Sequence, residues 1–286
     1  MRKHAEQRRT WWPRLWAFMT TGFPIGLVVI VALFPFVWTF LTSIKPAVEL
    51  YTSKVQYLPQ HPTFDNYARL FRTTTFGRYF LNSFIVATSS MALGLTVSTC
   101  AAYSFSRFRF RGRDQILFAF LIINMFPQIL LLVPLFIIMR GLGILNTYLS
   151  LILAYSTFTI PFSVWMLTGF FDALPRELEQ AAMVDGATQR GAFRRVILPL
   201  AAPGIAATSI YIFINSWNEF LYALTFTTGV QTRTVPVGLR MFIGQYQIQW
   251  ELLTAAGVLS SLPIVIAFMF IQRQLIHGLT AGAVKG

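Results

Sequence analysis

Charge is scarce in this chain, and acid is scarcer than base: Asp and Glu number 10 of 286 residues against 23 Lys and Arg. Charged residues make up 12% of the sequence, about half the share of an ordinary soluble domain. With 55% hydrophobic residues and 28 Phe, the composition is that of a protein whose solvent is lipid. The single cysteine, Cys100, excludes an intrachain disulfide and a Cys-based metal site. His4, His61 and His277 are too dispersed to form a histidine cluster, so no metal is expected. No Gly-x-x-x-x-Gly-Lys-[Ser/Thr] phosphate loop occurs, nor any His-Glu-x-x-His or Gly-x-Ser-x-Gly motif. The sequence therefore predicts no catalytic residues, no enzyme activity of its own and no cofactor bound by this chain.

The net charge of +13 does not make nucleic acid a partner, because the cations punctuate apolar segments instead of gathering on a polar face. Lipid is the expected environment. The apolar run after the basic N-terminus is long, carries Pro24 and Pro35 and lacks a small-residue cleavage site, so it reads as a retained span.

Six apolar segments of roughly 20 or more residues predict an all-α polytopic fold with six transmembrane helices. They are Gly22–Ile44, Asn82–Ser104, Gln115–Met139, Leu149–Phe171, Ala201–Phe226 and Leu252–Ile276. Of the 23 cations, 15 fall on the side that holds "RFRFRGR" (Arg107–Arg113), which makes that side and both termini cytoplasmic. The expected organisation is a cytoplasmic segment 1–21, a six-helix domain 22–276 with a cytoplasmic loop 172–200, and a cytoplasmic tail 277–286. On the outer side, an interfacial helix is expected over Phe64–Phe71, capped by Asp65 or Thr63.

The loop 172–200 concentrates charge: Glu177, Glu179, Asp185, Arg190, Arg194 and Arg195 lie within it. Pro175 suits the first turn of a helix running to Val184, and Gly186 suits a left-handed stop. Thr188 can cap a second helix, Gln189–Ile197. Leu178, Ala181 and Ala182 share one side of the first helix, and the alanines keep that side low enough for another backbone to approach. The result is a stiff polar elbow, which docks a partner protein or rests on lipid headgroups.

The order Gln180-Ala181-Ala182, Asp185-Gly186-Ala187, Val196 and Leu198-Pro199 resembles the "EAA" loop of membrane subunits of ATP-binding cassette importers. In this chain Gln180 takes the place of the signature glutamate, and Glu179 stands one residue earlier. "NSF" (Asn82–Phe84), "MFP" (Met125–Pro127), "WNEF" (Trp217–Phe220) and "GLTAGAVKG" (Gly278–Gly286) are similar to the second, maltose-permease-like subunit of carbohydrate importers. The resemblance implies a type I ABC importer permease in a bacterial or archaeal cytoplasmic membrane. It implies four kinds of partner: a homologous permease, two ATPase subunits that bind ATP and Mg, an extracytoplasmic solute-binding protein, and lipid. It also implies that Glu179, Gln180, Ala181, Ala182, Asp185 and Gly186 form the coupling contact with the ATPase, with Glu179 an exposed ion-pairing group worth about 0–1 kcal/mol.

Polar groups inside spans are costly and usually face inward. That nominates Asn124, Gln128, Tyr155, Asn218 and Glu219, with Ser156, Thr159 and Asn215 nearby, as a solute pathway in which amides meet hydroxyls and aromatics pack on sugar faces. The same residues suit a second role as glue between helices. The implied cargo is an oligosaccharide or disaccharide. The alternatives are an importer for a non-sugar solute and a proton-coupled carrier, for which Glu219 is the sole intramembrane carboxylate.

Overall fold

The computed structural model describes residues 16–283 except 53, 55 and 245, and the side chains of 271 and 273–283 lie outside the description. Most of the expected segment 1–21 and the side chains of the tail 277–286 are therefore outside the described residues. Besides a single turn at Ala47–Leu50, the described α-helices are α1 (Phe18–Ser43), α2 (Asp65–Thr73), α3 (Phe76–Arg107), α4 (Arg113–Met125), α5 (Leu132–Gly141) and α6 (Tyr148–Asp172). They continue with α7 (Arg176–Val184), α8 (Gln189–Leu200), α9 (Ala202–Asn218), α10 (Leu221–Phe226), α11 (Val235–Met241) and α12 (Trp250–Ala283). Among the described residues no strand exceeds an isolated bridge.

The chain divides into two compact units, Met1–Arg72 with Gly244–Val258, and Thr73–Ile243 with Leu259–Gly286. In the first unit, α1 is apolar on all sides and buries none of its most apolar window, the pattern of a helix solvated by hydrocarbon. Its orphan C-terminal carbonyls are met by the buried Asn66, whose Nδ2 donates to Ser43 O at 2.8 Å and Lys45 O at 2.7 Å. The interfacial helix forms as Asp65–Thr73, and it is Thr63 that accepts the Asp65 N–H, at 3.1 Å.

In the second unit, α3 lies along α6 and α9. Close approach there rests on small residues. A Cβ on Gly204 of α9 would stand 2.4 Å from the Phe170 ring of α6, so only glycine lets these helices meet as they do. Two buried threonine hydroxyls are satisfied within their own helices: Thr168 donates to Val164 O at 2.7 Å and Thr208 to Gly204 O at 2.8 Å.

Four helices are long and apolar enough to cross a membrane, and up to six spans result if each of two sharply bent pairs counts as one. This corrects two of the six continuous spans expected from sequence. Gln115–Met139 is broken between α4 and a 3₁₀ turn at Gln128–Leu131, with a bend of 96° across the break. Pro127 lacks an N–H and pushes Phe126 into an extended conformation (φ −73°, ψ 129°), so the helix cannot continue. Ala201–Phe226 is broken at Glu219, whose own backbone is extended (ψ 128°). A further bend of 75° separates α8 from α9.

Candidate functional site

The breaks create the site. When a helix stops inside a span its terminal N–H and C=O groups lose their partners, and irregular backbone at membrane depth persists only where protein or a watery cavity satisfies it. At the first break, the Gln128 carbonyl accepts the Tyr222 hydroxyl at 2.8 Å. At the second, the Glu219 carboxylate accepts the backbone N–H groups of Tyr222 at 2.8 Å and Ala223 at 3.0 Å, which starts α10 as an N-cap does. The two breaks are thus tied together through Tyr222, which is fully buried against Phe158.

Between them lies a cavity of about 300 Å³. Its polar wall is Gln128, Tyr155, Thr159, Asn215, Ser216, Asn218 and Glu219, and its apolar wall includes Phe158, Tyr211 and Phe220. The Tyr155 hydroxyl, also buried, stands beside the Glu219 carboxylate in the cavity wall. The Ser216 hydroxyl is buried and has no hydrogen-bond partner among the described residues. An unpaired buried hydroxyl is costly, about 1–3 kcal/mol, and it marks where a polar ligand or water would be bound.

Of the residues nominated for a pathway, Gln128, Tyr155, Asn218 and Glu219 share this cavity. Asn124 does not line it: at the end of α4 its Nδ2 donates to Phe120 O at 2.9 Å and its side chain is exposed. Ser216 escaped the sequence reading, although it sits between Asn215 and Asn218 in a locally polar run. Besides lining the cavity, Glu219 has a structural role that its nomination did not include, since both of its oxygens are engaged by backbone N–H groups.

The elbow forms α7 and α8. Gly186 ends α7 with φ +88°, a left-handed conformation that side chains disfavour, and Thr188 caps α8 by accepting the Gly191 N–H at 3.2 Å. Gln180, Ala181 and Asp185 are exposed and Ala182 is half-buried. Val184 is 86% exposed and Leu178 41%, so α7 offers an apolar as well as a polar surface.

Glu179 is the exception. The expectation of an exposed ion-pairing group is overturned: its side chain is 6% exposed and its carboxylate meets Arg107 Nε at 2.9 Å. Tyr103 donates its hydroxyl to the other carboxylate oxygen. The cause is register, because Glu179 lies on the side of α7 opposite the exposed surface and turns toward the end of α3. Removing one partner of such a buried pair costs about 3–5 kcal/mol, well above the exposed-pair figure.

Broken spans around a polar cavity, joined to a stiff polar elbow, define a helical membrane transport subunit. Residues 94–280 match the family described as binding-protein-dependent transport system inner membrane component. The chain is 40% identical to the trehalose/maltose transport system permease protein MalG of Thermococcus litoralis, over 91% of this chain and 94% of that one. It is 39% identical to the sulfoquinovosyl glycerol transport system permease protein SmoH of Agrobacterium fabrum (91% and 92%), and 38% identical to the trehalose transport system permease protein SugB of Mycobacterium tuberculosis (95% and 97%). Its fold is shared with a bacterial ABC transporter involved in import of the polysaccharide alginate, with a TM-score of 0.77 at 21% identity over 91% of this chain and 96% of that one. The chain belongs to the binding-protein-dependent inner membrane components and is a permease subunit of an ABC importer.

Proposed function

We propose that this subunit moves a neutral sugar, a disaccharide or short oligosaccharide, across the cytoplasmic membrane of a bacterium or archaeon. The observation that carries this reading is the cavity between the two broken spans. It offers a buried hydroxyl free to bond a ligand (Ser216), a second beside Glu219 (Tyr155), amides that both donate and accept (Gln128, Asn215, Asn218) and rings that pack on sugar faces (Phe158, Tyr211). The relatives named above for trehalose and maltose support the same class of cargo.

In this account the subunit pairs with a homologous permease to close the pathway and receives solute from an extracytoplasmic binding protein. Two ATPase subunits hold ATP and Mg²⁺, since this chain has no phosphate loop. The exposed surface of α7, with Gln180, Ala181, Ala182 and Asp185, docks on the ATPase, and both termini face the cytoplasm. ATPase closure moves the elbow, and the spans joined to it, α6 and α9, alternate between inward- and outward-open arrangements. A proton-coupled carrier is disfavoured, because Glu219 is occupied as a helix cap.

Reconstitution with the partner permease, ATPase and binding protein tests this directly. Uptake of labelled trehalose or maltose should require ATP and fall about ten-fold or more in Ser216→Ala with Asn218→Ala. Uptake driven by a proton gradient without ATP would contradict the proposal.

A further inference from the structure

α3 is remote in sequence from the elbow, yet its last turn grips both elbow helices. On the α7 side, Arg107 Nε meets Glu179 at 2.9 Å while its Nη2 donates to Leu174 O at 3.3 Å, just before the elbow begins. Arg176, at the start of α7, donates back to Ser106 O at 2.8 Å. On the α8 side, the Tyr103 ring packs on Phe193 with centroids 4.4 Å apart, while its hydroxyl reaches Glu179. Arg107 and Glu179 are both nearly solvent-free, with side chains 5% and 6% exposed. A buried, hydrogen-bonded ion pair holds one geometry, because any opening strands a charge in a poor solvent.

We propose that Arg107, Glu179 and Tyr103 form a strap that makes α3 travel with the elbow, so that ATPase motion reaches a third span as well as the two joined to the elbow in sequence. This rests on the docking role proposed above for the elbow. Glu179 and Arg107 are then positioning residues: they transmit displacement within the subunit and do not touch the ATPase or the solute. The consequence for the pathway is direct, because α3 lies along α6 and α9, which supply Tyr155, Ser216 and Asn218 to the cavity.

The native Cys100, exposed on α3, and Glu177→Cys, exposed on α7, provide a pair of spin-label sites. The measurement uses the complete importer in nanodiscs, with cysteine-free partners. In the wild-type sequence the label-to-label distance should be the same in nucleotide-free and ATP-trapped complexes. In Glu179→Gln it should shift or broaden on ATP trapping, and solute uptake per ATP hydrolysed should fall at least ten-fold, with the ATPase still copurifying. Arg107→Lys, which keeps the charge but not the fork to Leu174 O, should retain more of the coupling than Arg107→Ala. The strap is overturned if the wild-type distance changes with nucleotide while uptake persists, or if Glu179→Gln leaves distance and coupling intact. Loss of ATPase copurification in Glu179→Gln with the distance unchanged would also overturn it, by placing Glu179 at the docking contact. Absence of ATP-driven uptake in the wild type would instead contradict the function proposed above, and the strap with it.

Discussion

The Tyr222 hydroxyl donates to the Gln128 carbonyl at 2.8 Å, joining two helix breaks that lie 94 residues apart in the chain. One residue thereby reaches the backbone of the first break and, through its own N–H, anchors the cap made by Glu219 at the second. The position of the cavity follows from this pairing of breaks.

Tyr222→Phe tests that tie. It keeps the ring packing on Phe158 and Phe226 but removes the hydroxyl that donates to the Gln128 carbonyl. The expected loss is about 0.5–1.5 kcal/mol, read as a lower thermal midpoint of the purified complex, with insertion into the membrane retained. An unchanged midpoint would mean that water already serves that carbonyl.

Glu219 should behave as a cap. Glu219→Ala removes both acceptors for the Tyr222 and Ala223 N–H groups and should cost about 0.5–2 kcal/mol, while Glu219→Gln, which keeps one acceptor, should cost less. Uptake by Glu219→Gln should keep the wild-type dependence on external pH. Loss of a proton dependence in that variant would favour the carrier alternative.

At Gly186 the φ of +88° sets the constraint, and among the described residues nothing beyond its chain neighbours lies within 4 Å of where a Cβ would stand. Substitution therefore strains the backbone without a clash, by roughly 1–2 kcal/mol. Gly186→Asn should retain much of the uptake because Asn tolerates the left-handed region, and Gly186→Val should lose most of it. Equal activity of the two variants would show that the elbow adopts another stop.

Much of this was legible in sequence, and for identifiable reasons. Local signals worked where local chemistry decides: the left-handed stop at Gly186, the Thr188 cap and the apolar length of α1, α3 and α6. Pro127 was visible as well, but hydropathy averages over a break, so Gln115–Met139 read as one continuous span. Gln128, Tyr155, Asn218 and Glu219 stood out because polar groups are rare in apolar runs, although nothing local showed that Asn124 would point away from them. Arg107 carried two roles under one signal. It reads as a cytoplasmic marker within "RFRFRGR", and its partner lies 72 residues away, where no spacing rule reaches.

The central claim, that the cavity is a solute pathway opened to one side at a time, is tested most directly at Asn218. In a Cys100→Ser background, Asn218→Cys in the assembled importer should react with a membrane-impermeant thiol reagent at a rate that changes at least several-fold between nucleotide-free and ATP-trapped states. Bound sugar should slow that reaction, whereas Asn124→Cys, outside the cavity, should show no protection by sugar. Labelling of Asn218→Cys that is the same in every nucleotide state and indifferent to sugar would contradict the account.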